Sequence, residues 1–422
     1  MSAPTLDPVR AYRDSMKRSR LIYLAVIAVI LLAVGVVFSI AYARGEVNNS
    51  RLVTAATPPT ALPQAPVAAT VSPRWTTTDV AASGTPYSGG TVVTHTAHQI
   101  NGRSATTGSL TWFYRRSTRT LCDVVQAADQ TFAIWQVKGN CDQLTAQNSQ
   151  TGALQWTRTL SMDGHPVDGH PAVSYAASTL MIATPQVIYS IATGDAKQGL
   201  NRWRFHRDGC TVNRAVMGDA GALISLSCTG QKCEAQAQFC ANGDLLVLRE
   251  PYTSDDNNDK KNPDKIKWML KGSKLVPLSS DSQVLASDPV TDRVLVLADK
   301  GAKTATLAIS GVDDNTRTQP VGSTELIWAA GTTYAVQGST IMWKARTSGL
   351  PTVTDLDAAD ADLANTSTVL AVPSASGADL LTAATGRISR TISIPTPKSD
   401  ARVFPYGGGL IVAGTNGTVF YR

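Results

Sequence analysis

Short apolar runs separated by tight turns recur from Phe132 to the end of the chain, and their spacing restricts the fold more than any other feature. The units read TFAIWQV with LTAQ, STLMIATPQVIYSIA, ALISLSC with EAQAQFC, RVLVLADKGAKTATLAI, TYAVQGSTIMW, TVLAVPSASGADLLTA and LIVAGTNGTVFYR. They are rich in Val, Ile, Leu, Thr and Tyr and broken by Gly, Asn, Asp or Pro, the pattern of strands and turns. Anchored on Phe132, Leu180, Leu223, Val294, Tyr334, Val369 and Leu410, they lie 48, 43, 71, 40, 35 and 41 residues apart. Periods of ~40–50 residues with several strands each mark a β-propeller. The expectation is an all-β, WD40-like propeller of about seven blades, with six to eight open; a twisted sandwich or two smaller β domains is the alternative. The longest interval holds the polar insert 251–267, which leaves room for a degenerate eighth blade. The last hairpin ends at the C-terminus, so its blade is expected to take an outer strand from the N-terminal segment, TVVTHT or SLTWFY. Such closure removes exposed sheet edges.

Ahead of the repeats, residues 21–43 form a 23-residue stretch without charge (LIYLAVIAVILLAVGVVFSIAYA). At ~1.5 Å per residue a helix of this length reaches ~34 Å, enough for a hydrocarbon core of ~30 Å. Residues 1–20 carry Arg10, Arg13, Lys17, Arg18 and Arg20 against Asp7 and Asp14. Positive charge stays on the cytoplasmic side, so the expected topology is single-pass in the plasma (inner) membrane, N-terminus cytoplasmic and residues 44–422 periplasmic or extracytoplasmic. A cleaved signal peptide competes, since Ala41-Tyr42-Ala43 has the small-x-small form, but its apolar region runs to only ~7–15 residues. Residues 44–73 include PPTALPQAPVAATVSP, which reads as a semi-rigid Pro/Ala-rich spacer, leaving 74–422 for the propeller.

All six cysteines follow the apolar stretch: Cys122, Cys141, Cys210, Cys228, Cys233 and Cys240. An even count in an extracytoplasmic region reads as disulfides. Six cysteines allow 15 pairings; nearest-neighbour pairing gives Cys122–Cys141 across one hairpin, Cys210–Cys228, and Cys233–Cys240 across a tight loop. No C-x-x-C pair supports zinc. Of the net charge of +6, residues 1–20 supply +3, five basic against two acidic, so the other 402 residues carry only +3. Nucleic-acid binding needs a concentrated basic face, and this distribution excludes it.

A second pattern lies inside the repeats: an apolar strand ending in Thr-Gly, sometimes followed by Trp. It occurs as LTAQNSQTGALQW (144–156), IYSIATGDAKQGLNRW (188–203) and LLTAATGR (380–387). Glycine supplies the positive φ that a tight turn needs, and the Trp can pack between blades. This resembles the repeat of PQQ-like β-propellers. With the basic tail, anchor, spacer and cysteines, the layout resembles a family of actinobacterial membrane-anchored PQQ-like propeller proteins that includes the mycobacterial polar growth factor. The resemblance implies trehalose mycolate, an envelope glycolipid, as ligand and an RND-type lipid transporter as partner, in cell-envelope assembly and polar growth. It carries over no site residue. The quinone itself is not expected, because quinone-dependent dehydrogenases of this fold hold it with a vicinal disulfide and calcium, and no two cysteines here are adjacent.

The most suggestive cluster is Asp163-Gly-His165-Pro-Val-Asp168-Gly-His170-Pro, two D-G-H-P copies five residues apart. Two His and two Asp could bind a metal or form an acid–base pair; a Gly/Pro-rich connection with Asp-capped turns is the plainer reading. His95, His98 and His206 show no partner spacing. Asp255, Asp256, Asp259 and Asp264 lack the Gly and the terminal Glu of an EF-hand loop, and Lys260, Lys261 and Lys265 would repel a cation. No G-x-S-x-G, Walker or HExxH motif is present. The expectation is therefore a non-enzymatic protein without cofactor. Three functions stand: glycolipid binding or traffic, marked by an apolar cleft; a protein–protein assembly scaffold without small ligand, marked by a polar loop face; and a periplasmic hydrolase or dehydrogenase built on Asp163, His165, Asp168 and His170.

Overall fold

The computed structural model describes residues 26–27, 29–34, 46–160, 167, 171–176, 178–194, 198–229, 243–250, 265–353, 368–395 and 401–422. They form eight sheets, each built mainly from strands consecutive in sequence and antiparallel apart from the short parallel pairing of Ser83–Gly84 with Thr120–Ala127. The first strands of neighbouring sheets touch: Ala172–Ala176 meets Cys210–Gly218, which meets Val276–Ser280, which meets Arg317–Val321, and Thr352–Val353 meets Arg402–Tyr406. First strands therefore line an axis and fourth strands face outward. The fold is an eight-bladed β-propeller.

The seven hairpins read from sequence are blades two to eight. The eighth blade is not in the 71-residue interval, where blade four simply continues through Gly243–Arg249 and Ile266–Lys271. It comes first in the chain. Thr91–Thr96, Gln99–Ser104 and Leu110–Arg116 pair with one another, with Val80–Ala81 and Tyr87–Ser88 on the inside and Ser50–Val53 on the outside. TVVTHT and SLTWFY thus belong to blade one and do not complete blade eight. That role falls to Pro73–Thr77, whose Trp75 and Thr76 pair with Phe420 and Val419. Closure through an N-terminal strand occurs as expected, through a different segment.

Five tryptophans explain how neighbouring blades lock. Each sits on the outer strand of one blade, against a positive-φ glycine in the last turn of the next: Trp75 on Gly108, Trp112 on Gly152, Trp156 on Gly199, Trp268 on Gly301 and Trp343 on Gly386. The approach leaves no room for a side chain; a Cβ on Gly152 would lie 2.5 Å from the Trp112 ring. Three of the indoles also donate to the carbonyl three residues before their glycine: Trp75 to Ala105 at 2.8 Å, Trp112 to Ser149 at 2.9 Å and Trp343 to Ala383 at 2.7 Å. In two copies of the Thr-Gly pattern, Thr151-Gly152 and Thr385-Gly386, the glycine is therefore part of a blade-to-blade joint that satisfies the polar tip of a buried ring while burying its body. In 188–203 the joint glycine is Gly199, and Gly194 faces Ser178 instead.

Two faces follow from the strand order. One carries the turns between first and second and between third and fourth strands; the other carries the remaining turns and the blade-to-blade connections. Residues 54–72, read from composition as a spacer, lie against the first of these faces as a strap. Ala55 N–H donates to Thr151 O at 2.9 Å, Ala68 N–H to Gly408 O at 3.1 Å, and the Arg390 side chain to Val67 O at 3.1 Å. Val67 is buried in the core shared by blades seven and eight, and Leu62 packs on the core between blades eight and one. The strap thus crosses the joint where the ring closes. At the same joint, buried Asp79 accepts from Arg103 at 2.6 Å and Asn101 at 2.8 Å.

The structure joins Cys122 to Cys141 and Cys210 to Cys228. The first bond links the first and third strands of blade two, past bulges in the strand between them, so it does more than close a hairpin. The second joins residues directly opposite on adjacent strands. Cys233 and Cys240 lie outside the described residues. Of the apolar stretch 21–43, only residues 26–27 and 29–34 are described; they are helical, and their side chains are exposed. Among the described residues no helix is long and apolar enough to cross a membrane.

Candidate functional site

Among the described residues, two grooves open on the face opposite the strap. The larger, about 270 Å³, opens where blades four and five meet and is lined by Asn213, Arg214, Ser225, Asp244, Lys274 and Asp314, with Leu226, Leu275 and Val276 among its apolar residues. A bulge in the first strand of blade four, between Val212 and Arg214, breaks the alternation of side chains and turns Asn213 and Arg214 toward this face. A chain of hydrogen bonds holds the polar wall. Asn213 donates to the Ser227 hydroxyl at 2.9 Å, which donates to the Asp244 carboxylate at 2.7 Å. On the opposite wall Arg214 donates to Thr316 O at 3.3 Å. Burial draws the Arg214 guanidinium below its ordinary range, with Arg317 adding to the shift and Asp314 and Asp313 opposing it.

The second groove, about 260 Å³ and more open, lies between blades six and seven and includes Arg346, Thr347, Ser348 and Asp379. Asp379 accepts from Thr391 at 2.7 Å, and Ser348 donates to Pro373 O. Both grooves therefore offer cations, carboxylates and hydroxyls at one surface. They suit a polar or charged ligand segment.

On the strap side lies a buried acidic set. Glu325 is fully buried at the start of the second strand of blade six; burial, with the Asp281 charge adding, raises its carboxyl to about 8. Burial and then the charge of Asp219 raise Asp281 to about 6.

Asp163, His165, Asp168 and His170 lie outside the described residues, as does 251–264 of the polar insert. The other histidines are placed. His95 is on Thr91–Thr96 with its pKa lowered by burial, the His98 ring meets Arg119 O at 2.6 Å, and His206 meets Gln186 O at 2.8 Å and Asp208 at 3.0 Å. Among the described residues no three His, Cys, Asp or Glu side chains converge as metal ligands. A quinone site of the kind found in quinone-dependent propellers does not fit the residues present: the described cysteines form bonds 19 and 18 residues apart in sequence, with no adjacent pair. Sequence reasoning missed both grooves, because their residues come from a bulge, from strand ends and from connections that carry no motif.

Fold and face together define an eight-bladed propeller with one strapped and one grooved face. Neither protein-family models nor curated proteins match the chain. Solved propellers are similar in outline. BamB from Moraxella catarrhalis has a TM-score of 0.46 and 11% identity, over 83% of this chain and 99% of that one. The quinohemoprotein alcohol dehydrogenase ADHIIG from Pseudomonas putida HK5 has 0.47 and 12%, over 83% and 76%. The C-terminal WD40 domain of Sif2 has 0.46 and 11%, over 83% and 98%. The blade count rests on this chain's own strand pairing.

Proposed function

We propose that this protein is a membrane-tethered, extracytoplasmic propeller that works as a non-enzymatic docking platform for protein partners through its grooved face. The observation that carries the reading is the grooves, with polar and apolar lining, on one face of a ring whose other face is crossed by its own strap over blades seven, eight, one and two. Two disulfides support an oxidising compartment. The five basic residues before an uncharged 23-residue stretch support a cytoplasmic N-terminus, and the exposed Val29, Leu31 and Leu32 support a helix that needs an apolar environment.

A second reading follows from the resemblance to the actinobacterial family: binding of trehalose mycolate beside an RND-type lipid transporter. The larger groove favours it at one end of the ligand only. Its hydroxyls and charges could hold a sugar, whereas acyl chains need an apolar cleft. Outside residues 21–43, the large exposed apolar side chains come from separate elements, as with Leu154, Leu200, Val290, Met342 and Ile388.

Photo-crosslinking from Lys274→Cys and Arg346→Cys on the full-length chain, with lipid extraction from the same preparation, tests both. Adducts with defined envelope proteins support the platform. A stoichiometric glycolipid whose loss follows Arg214→Ala and Asp244→Ala supports the second reading and overturns the first.

A further inference from the structure

Where the chain enters the propeller bears on how the molecule sits. Six residues, 44–49, separate the apolar stretch from the outer strand of blade one, and four of them, Glu46–Asn49, form a helical turn. Even fully extended they would reach only ~20 Å. Ser50–Val53 therefore begins within or just above the headgroup layer of any bilayer that holds residues 21–43. It begins at the grooved-face end of the blade, since Asn49 O accepts from Ser117 N–H at 2.8 Å in the connection to blade two.

The side chains at this entry point are cationic. Arg51 and Arg115 are directly opposite one another on adjacent strands, and both are exposed. Like charges so placed repel, and no carboxylate among the described residues pairs with either. Arg51 also lies 5.5 Å from the Phe113 ring centroid, which leaves its guanidinium edge to solvent. Arg119 is in the adjacent connection, whose carbonyl is held by His98 at 2.6 Å. Beneath them Arg116 is buried, 5.1 Å from the Trp135 ring centroid, donating to Gln143 at 2.5 Å. Desolvation and the nearby Arg119 lower its pKa to about 10. Four arginines thus gather at the one rim that the chain's path places nearest the membrane.

We propose that the grooved-face rim of blade one rests on the membrane surface, with Arg51, Arg115 and Arg119 binding anionic phospholipid headgroups of the bilayer that holds residues 21–43. This rests on the anchored reading above. Among the described residues no carboxylate pairs with Arg51 or Arg115; an anionic surface supplies counter-charge, and each arginine near such a surface strengthens the contact about fivefold.

The test uses the full-length chain in nanodiscs of phosphatidylcholine, alone or mixed with phosphatidylglycerol. A fluorophore on Thr118→Cys reports proximity to headgroup-quencher lipids, and one on Thr385→Cys, on the strapped face, serves as reference. The expected result is stronger quenching at position 118 in the mixed discs, reversed several-fold by Arg51→Gln with Arg115→Gln, and none at 385. Equal quenching at 118 in both discs overturns the rim contact while leaving the anchor intact. A chain that does not enter the discs at all overturns both.

Discussion

The Arg249 guanidinium lies 4.1 Å from the centroid of the Trp203 ring, in the place where the other outer-strand tryptophans at blade joints meet a glycine. Blade four has no short last turn to offer one, because its third and fourth strands are joined through the insert that begins at residue 251. A planar cation at the end of Gly243–Arg249 takes over the joint with blade three. Arg249 is also fully buried, so it serves as packing as much as charge.

Arg249→Ala is therefore expected to cost about 2–3 kcal/mol of stability. Arg249→Lys should recover only part of it, because an ammonium lacks the flat face that stacks on indole. Chemical denaturation of the two variants checks the ordering.

Asp79 ties the closing joint and gives it an acid sensitivity. Burial alone would raise its carboxyl, but hydrogen bonding and charge from Arg103, with Asn101 and Thr94, outweigh burial and hold it below the ordinary value of 3.8. The unfolded chain takes up this proton first as pH falls, so the contribution is full above about pH 4 and is lost as pH falls through the lowered folded-state value. Asp79→Asn should cost about 2 kcal/mol at pH 7 and progressively less as the pH is taken below about 4, measured by urea melts across that range.

Glu325 acts in the opposite direction. With its carboxyl raised from 4.5 to about 8, the folded state keeps a proton that the unfolded chain releases. Stability is therefore greatest below about pH 4.5 as far as this group is concerned and falls as pH rises toward 8, by roughly 2–4 kcal/mol. Glu325→Gln keeps the shape without the ionisation. It should flatten the alkaline limb of a stability–pH profile and be more stable than the parent at pH 8.

The disulfides should contribute about equally. Loops of 19 and 18 residues confine the unfolded chain by about 3 kcal/mol each. Cys122→Ser with Cys141→Ser, and separately Cys210→Ser with Cys228→Ser, should lower the denaturation midpoint by similar amounts. A reductant should produce the same change in the parent.

Blades two to eight were legible because each has a run of apolar strand. It is the second strand in blades two, three, four, seven and eight, such as Leu180 to Ile182, and the third in blades five and six, such as Val294 to Leu297. The second run read for blade four, 234–240, lies outside the described residues, and Gly243–Arg249 pairs there. Blade one lacks that mark. Its inner strand is interrupted where Ser83–Gly84 leaves to pair with Thr120–Ala127 of blade two, and Thr91 and Thr94 take core positions that apolar residues fill elsewhere. The strap was misread for a related reason. Its composition is that of an extended linker, and what holds it are glycines far away in sequence, Gly90 beside Pro59 and Thr60, and Gly407 beside Leu62. The grooves left no sequence trace, since a bulge at Asn213 has no residue signature. The Thr-Gly pattern, by contrast, marked a physical joint at Gly152 and Gly386, though in 188–203 the joint falls on Gly199 rather than on Thr193-Gly194.

Pairing between Pro73–Thr77 and Gly417–Tyr421 also sets a timetable. Synthesis runs from the N-terminus, so Pro73–Thr77 emerges before blades one to seven are complete, and its partner Gly417–Tyr421 emerges only after all of them. Until then both ends of the sheet array stay open, and Trp75 has no Phe420 to cover it. The ring therefore cannot be closed one blade at a time as the chain is made; it stays open until Gly417–Tyr421 has been synthesised. A chain without that strand would carry an unpaired edge, and such an edge invites aggregation.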